Sequence, residues 1–251
     1  MGKLDNKIAL VTGSSSGIGK AVALAFAREG AHLVINYPNA TQAQNATEVK
    51  NAIAALNRKV LVIEADVTQE EQVKQLVDET MKEYGRIDIL VNNAGIATAA
   101  TVDKMPATMW DQMLTTNLRS VFLCTHYVLP IMYQQNSGKI ISTASQLAYK
   151  GAPGLSHYCA AKAAIIAFTR SLSLEIGTRN INANCVAPGA TDTPILSGVN
   201  HEALEAIRES IPKKRFATVE EIAPAYVFLA SDDARHFVGQ CISPNGGDVM
   251  L

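Results

Sequence analysis

The sequence predicts an α/β fold, a doubly wound parallel sheet of about seven strands with helices on both faces. Three observations predict it. Short β-rich apolar runs alternate with longer helical patterns along all 251 residues. The runs are apolar almost without interruption, as in parallel strands covered on both faces. A glycine-rich turn joins the first run to the first helical pattern, the strand-turn-helix context in which such turns bind phosphates.

The strand candidates, in order, are KIALVTG (7–13), HLVINY (32–37), KVLVIEAD (59–66), DILVNNAG (88–95), GKIISTAS (138–145), INANCVAPG (181–189) and QCISPNGG (240–247). Each is short, and most are rich in Val and Ile and close on Gly, Asp or Ser. Between them the helical patterns cover roughly 18–29, 41–57, 69–84, 107–135, 157–177, 201–209 and 219–230. Strand-helix alternation implies right-handed crossovers and hence one continuous sheet. No low-complexity linker or fixed-period repeat interrupts the chain, so a single dinucleotide-binding domain over 1–251 is expected. The weakly patterned stretch 190–216 follows a strand's carboxyl end, where it is read as a substrate lid; a plain surface helix-loop is the other reading.

Composition narrows the classes. A formal net charge of −1 gives no sequence-wide attraction to nucleic acid or anionic membranes. Low aromatic content weakens a base-stacking role. Cys124, Cys159, Cys185 and Cys241 are scattered, without C-x-x-C or zinc spacing, and read as unpaired buried thiols of a reducing compartment; no metal site is expected. The N-terminus has no signal architecture, lacks the Ser or Thr of a myristoylation site, and no stretch is long enough to span a bilayer. A cytoplasmic protein is expected.

The turn TGSSSGIG (12–19) carries the first functional signal. Gly13 permits a tight turn, Gly17 lets backbone approach a pyrophosphate, and Gly19 lets the helix pack on the sheet. The helix N-terminus offers free N–H groups and a positive dipole end to phosphates. A glycine-rich turn that binds nothing is the bland alternative. The spacing is TGxxxGxG, and together with ADV (65–67), NNAG (92–95), Asn117 in TTNLRSVF, Ser145, YCAAK (158–162), PGATDT (188–193) and GQCISPNGG it resembles the short-chain dehydrogenase/reductase family over almost the whole chain.

The resemblance implies a Rossmann-type fold and a nicotinamide cofactor. Gly13, Ser15, Gly17, Ile18 and Gly19 would form its phosphate site, Asp66 and Val67 would hold adenine, and Asn93, Ala94 and Gly95 would line the adenosine ribose. Pro188, Gly189, Thr191 and Thr193 would meet the nicotinamide carboxamide. Asp66 reads equally well as the N-cap of the following helix. The end of the second strand decides between the two nicotinamide cofactors, because a carboxylate there repels a 2′-phosphate. Asn36, Tyr37, Pro38 and Asn39 include no acid, so Asn36 is taken as the residue facing the 2′ position and NADP(H) is preferred, with NAD(H) the other candidate.

Tyr158 and Lys162, at i and i+4, share one helix face. Such pairs are ordinarily surface pairs, but an ammonium beside a phenol also lowers the phenol's pKa and suits it to proton transfer with a carbonyl or alcohol. Lysine's donors could hold ribose hydroxyls. Ser145 could stabilise charge on the substrate oxygen. The resemblance gives Asn117 the support of a water chain leading to the lysine; a plain helical asparagine is the alternative. His157 and Cys159 match no catalytic position and read as packing or pocket wall.

The expected reaction is hydride transfer between nicotinamide and a ketone/secondary-alcohol pair, with Tyr158 as general acid/base. A non-catalytic dinucleotide-binding module is the rival class. The pattern looks like the 3-oxoacyl-[acyl-carrier-protein] reductase branch, including PKKRFATVEEIA (212–223). That branch commonly carries arginines on the fourth and fifth helices to dock the acidic carrier; Leu123 and Leu174 stand there, which points to a small free carbonyl. Relatives are mostly homotetramers, and a homotetramer without nucleic-acid or membrane partners is expected.

Overall fold

A computed structural model describes residues 2–250. Seven strands form one parallel sheet in the order β3-β2-β1-β4-β5-β6-β7. They are β1 (Ile8–Val11), β2 (His32–Tyr37), β3 (Val60–Glu64), β4 (Ile89–Asn92), β5 (Gly138–Thr143), β6 (Ile181–Val186) and β7 (Cys241–Ile242). The order reverses between β1 and β4, which opens a crevice above the carboxyl ends of the strands.

Strand pleat sorts the apolar runs into two cores. Ala9, Val11, Leu33, Ile35, Val91 and Val186 face α1 (Gly17–Arg28), α2 (Ala43–Ala54) and α9 (Val219–Ala230), packing with Phe26, Val49 and Tyr226. Leu10, Val34, Ile63, Leu90, Ile140 and Ala183 face the other way, toward α3 (Glu70–Tyr84), α5 (Ser120–Gln135) and α7 (Ser156–Glu175). Uniformly buried strands such as β1 and β4 explain the uninterrupted apolar runs.

Two differences from the expected elements bear on function. The strands stop earlier than their apolar runs suggest: β4 ends at Asn92 and β5 at Thr143, releasing 93–98 and 144–146 as loops over the crevice. The expected helix 107–135 is helical throughout but not uniform. After α4 (Ala107–Leu114) one π turn spans Thr115–Arg119 before α5. Within 190–216 lie a short 3₁₀ turn (Pro194–Leu196) and the exposed α8 (His201–Ser210); a four-residue helix, α6 (Leu147–Lys150), follows Ser145. No helix among the described residues is long and apolar enough to cross a membrane.

Candidate active site

The glycine turn is built by its neighbours. Gly13 has φ +60°, and a Cβ there would stand 2.8 Å from the Ala94 Cα. The Thr12 hydroxyl accepts from the N–H groups of Asn93 (3.0 Å) and Ala94 (3.1 Å), and the Asn93 amide donates to the carbonyls of Thr12 and Gly13, both at 3.1 Å. A Cβ on Gly19 would collide with the Gly13 carbonyl oxygen at 2.4 Å. NNAG and the glycine turn are thus one interlocked unit, and Asn93 serves it through its side chain.

That unit fits a dinucleotide. Ser16 precedes α1 without a side-chain cap, and no acid occupies the helix's first turn, so its N–H groups stay free for an anion. Gly17 has φ +54°, and a Cβ there would fill the space between the turn and Thr193, at 3.6 Å from its methyl. Ser15 and Ile18 lie on the same turn, and the Ser15 hydroxyl reaches Gln42 at 3.3 Å.

Asn36 requires a correction. Its side chain is buried, with the amide oxygen accepting from the Gly13 N–H at 3.2 Å and the nitrogen donating to the Ala65 carbonyl at 2.9 Å. It clamps the turn from below, with its side chain turned into the protein; Tyr37, half-buried at the strand end, is the next side chain out. The reading of Asp66 as the N-cap of the next helix also needs correction. Its carboxylate accepts from the Thr68 N–H at 2.9 Å in a local turn, while Gln69 is the residue preceding α3. Val67 is buried.

The proposed catalytic residues converge above β4, β5 and β6. Asn117 lies in the π turn, fully buried, with its amide oxygen accepting from the Ile96 N–H at 2.8 Å and its nitrogen donating to the Ile96 carbonyl at 2.9 Å. π turns of this kind often mark functional positions. A Cβ on Gly95 would sit 2.7 Å from the Asn117 oxygen and 3.6 Å from the Lys162 Nζ, so the three residues meet. Lys162 is buried and donates to the Thr143 carbonyl at 2.8 Å; its Nζ stands 5.7 Å from the Tyr158 ring centre. Ser145 is buried beside Tyr158, and its Oγ accepts from the Leu147 N–H at 3.2 Å.

Electrostatics depart from the expectation of a lysine-lowered phenol. Burial raises the Tyr158 pKa above its ordinary value, and the neighbouring Ser145 hydroxyl partly offsets this. Lys162 is turned to a backbone carbonyl, and burial lowers its own pKa to about 8. The phenol is therefore a proton donor at neutral pH, beside an amine able to exchange its proton close to neutrality.

The nicotinamide-side candidates form a second loop. Pro188 accepts from the Gln146 N–H at 3.0 Å, and the Gly189 N–H donates to Pro244 at 3.0 Å. The Thr191 hydroxyl donates to the Gly189 carbonyl at 2.9 Å, and the Thr193 hydroxyl donates to the Thr191 carbonyl at 3.3 Å. His157 is buried with Nε2 3.0 Å from the Thr98 hydroxyl, which ties α7 to the 93–98 loop. Residue patterns did not reveal the Thr143 carbonyl that holds Lys162, since a main-chain contact leaves no side-chain signal. Gln146 was also missed; its amide nitrogen donates to Asp248 at 2.6 Å and ties the C-terminal segment to the site.

Comparison with known proteins agrees with this geometry. Residues 13–248 match the family described as Enoyl-(Acyl carrier protein) reductase. The chain is 38% identical to the 3-oxoacyl-[acyl-carrier-protein] reductase FabG of Thermotoga maritima, covering 99% of this chain and 100% of that protein. It is 39% identical to the 3-oxoacyl-[acyl-carrier-protein] reductase of a Synechocystis species, with 100% of both covered. Among solved structures it resembles levodione reductase (TM-score 0.92, 34% identity, covering 97% of this chain and 98% of that one). It also resembles a short-chain dehydrogenase from Burkholderia cenocepacia in complex with NADP (TM-score 0.90, 33% identity, covering 98% and 99%). A TGxxxGxG turn on an uncapped helix, Tyr158 and Lys162 on one helix face, and full-length relatives of this kind have one common explanation: the chain belongs to the short-chain dehydrogenase/reductase family.

Proposed function

We propose that this protein is an NADP(H)-preferring reductase of small free ketones, using Tyr158 as proton donor. The observation that carries the reading is the convergence of Asn117, Ser145, Tyr158 and Lys162 beside an uncapped, glycine-lined helix N-terminus. Bound nicotinamide supplies the hydride chemistry. The protein's own residues do the rest. The glycine turn and the α1 N–H groups hold the pyrophosphate, Asp66 and Val67 flank the adenine, and Pro188, Gly189, Thr191 and Thr193 orient the nicotinamide end. Ser145 donates to the substrate oxygen, Tyr158 gives it a proton, and Lys162, held by Thr143 and backed by Asn117, restores that proton. The 190–216 segment, whose two ends are drawn together by the Thr191–Ala217 pairing, serves as the lid. The absence of any acid from 36 to 42 supports the NADP(H) preference, as does the NADP-bound relative.

The substrate reading rests on fewer residues than the sequence suggested. Leu123 is buried in the core, so its apolar character says nothing about carrier docking. Leu174 is 86% exposed and does present an apolar surface. In the lid, Arg215 pairs with Glu221 and Lys214 with Glu209, which leaves Lys213 as the one cation of that cluster outside an ion pair among the described residues. Both relatives named as carrier-protein reductases favour the second reading, 3-oxoacyl-carrier reduction. A panel of ketones, diketones and acyl thioesters, followed by NADPH and NADH consumption, separates the two. A large advantage for a carrier-bound acyl chain that fades with salt would overturn the small-carbonyl reading.

A homotetramer fits the surface. Leu114, Leu118, Phe122, Ala164 and Phe168 line an apolar groove of about 520 Å³ between the π turn and α7, with Phe122 49% exposed. Sedimentation equilibrium is expected to give four chains per particle; a monomer would contradict it. A cytoplasmic location accords with this reading and is testable by fractionation.

A further inference from the structure

The four cysteines are free, but two are not isolated from each other. Cys185 on β6 and Cys241 on β7 are register partners in the parallel sheet. Register partners on neighbouring strands point to the same face, and the strands lie about 4.7–4.9 Å apart, within the roughly 4.4–6.8 Å Cα separation a disulfide needs. Both thiols face α7. The Cys185 Sγ lies 3.1 Å from the Thr169 hydroxyl, and Cys241 packs against the same Ile165–Ile166 cluster beside Tyr149. Cys185 is buried, whereas Cys241 is half-buried on a strand of 2 residues at the sheet's edge.

The two thiols differ in character. Cys241 has its pKa lowered, first by the Cys185 thiol and then by the Tyr149 hydroxyl and Arg170, while burial opposes this. Cys185 is raised, chiefly by Cys241 and by burial. Cys124, alone in the core, is pushed up to about 12 by burial and stays inert. A partly accessible thiol whose pKa is lowered, in strand register with a buried partner thiol, is the arrangement of an attacking and a resolving cysteine.

We propose that Cys185 and Cys241 form a redox pair that closes to a reversible intrachain disulfide when a hydroperoxide oxidises Cys241. The Cys241 thiolate takes one oxygen as the peroxide O–O bond breaks; the peroxide leaves as alcohol or water, and Cys241 becomes a sulfenic acid. The Cys185 sulfur then attacks the Cys241 sulfur. The S–S bond forms, the S–O bond breaks, and the thiol proton leaves with the hydroxyl as water. In sum the two thiols lose two hydrogens and two electrons to the peroxide. The pair matters for the site because β6 and β7 carry the loop that begins at Ala187, whose N–H donates to Ile242 at 2.8 Å.

The test treats the full chain with hydrogen peroxide and digests it with trypsin without reductant. Mass spectrometry is expected to find peptide 180–208 joined to peptide 236–251, about two mass units lighter than their sum. Free thiols should fall from four to two and return to four with dithiothreitol. In the Cys241→Ser variant, Cys185 should stay a free thiol under the same treatment. Accumulation of sulfinic acid on Cys241 beside a free Cys185 would overturn the proposal. So would a link between two chains, or peroxide oxidation of Cys185 in the Cys241→Ser variant. The readout is chemical and needs no substrate, so it stands or falls apart from the assigned reaction.

Discussion

Replacing Lys162 by methionine should stabilise the protein at neutral pH while removing its activity. The ammonium is buried and its pKa is lowered from 10.5 to about 8, mainly by loss of hydration. At pH 7 the amine is protonated in both folded and unfolded chains. Keeping it charged in the fold then costs about 3 kcal/mol, from roughly 1.36 kcal/mol per pKa unit. Methionine has nearly the same length and no charge to desolvate, but it loses the bond to the Thr143 carbonyl, worth about 1–2 kcal/mol. The net gain at pH 7 is therefore about 1–2 kcal/mol. The sign with pH follows from the lowered pKa. Between pH 8 and 10.5 the unfolded chain binds the proton that the folded chain has released, so the wild type gains stability as pH rises through that window. The variant's advantage should shrink by about 2 kcal/mol between about pH 7 and about pH 9.5. Urea unfolding of both proteins at the two pH values measures it. An advantage that is flat with pH, or that grows as pH rises, would refute the assignment of Lys162 as a buried, strained cation.

Other substitutions probe the cofactor side. Gly13→Ala places a Cβ at φ +60° and 2.8 Å from Ala94, so it should cost about 1–3 kcal/mol in thermal unfolding and weaken NADPH binding measured by fluorescence titration. Asn36→Asp should destabilise by about 2 kcal/mol or more without changing cofactor preference, because its carboxylate would face the Ala65 carbonyl in a buried site. Tyr37→Asp, at the open end of the same strand, should instead shift the ratio of specificity constants toward NADH; an unchanged ratio places the 2′ contact elsewhere.

The sequence made most of the fold legible because parallel strands buried on both faces leave long apolar runs, and each run marked a real strand. Strand ends were less legible. Asn93 and Ala94 continue a β-like run, yet their N–H groups turn to the Thr12 hydroxyl and leave the sheet. Sidedness was the main gap. In a strand buried along nearly its whole length, as β2 is, nothing in the pattern says that Asn36 points inward and Tyr37 outward. The same blindness put Leu123 on the surface, although it is a core residue of α5 one position from the exposed Phe122. The π turn at Asn117 was invisible because an inserted residue keeps the helical composition unchanged. The nearness of Tyr158, Lys162 and Ser145 in the fold follows from the motifs the sequence shares with its family, but the inward turn of the lysine onto Thr143 depends on a main-chain carbonyl that no motif encodes. The Cys185–Cys241 pairing likewise required the strand register.

The central claim is that Tyr158 supplies the proton. Tyr158→Phe keeps the ring and removes only the hydroxyl, so the direct measurement is its steady-state turnover with NADPH and the best ketone of the panel, alongside NADPH affinity. Turnover is expected to fall by about 10²–10⁴-fold with affinity changed by no more than roughly twofold. A variant that keeps turnover within about threefold of the wild type, with the same affinity, would contradict the account.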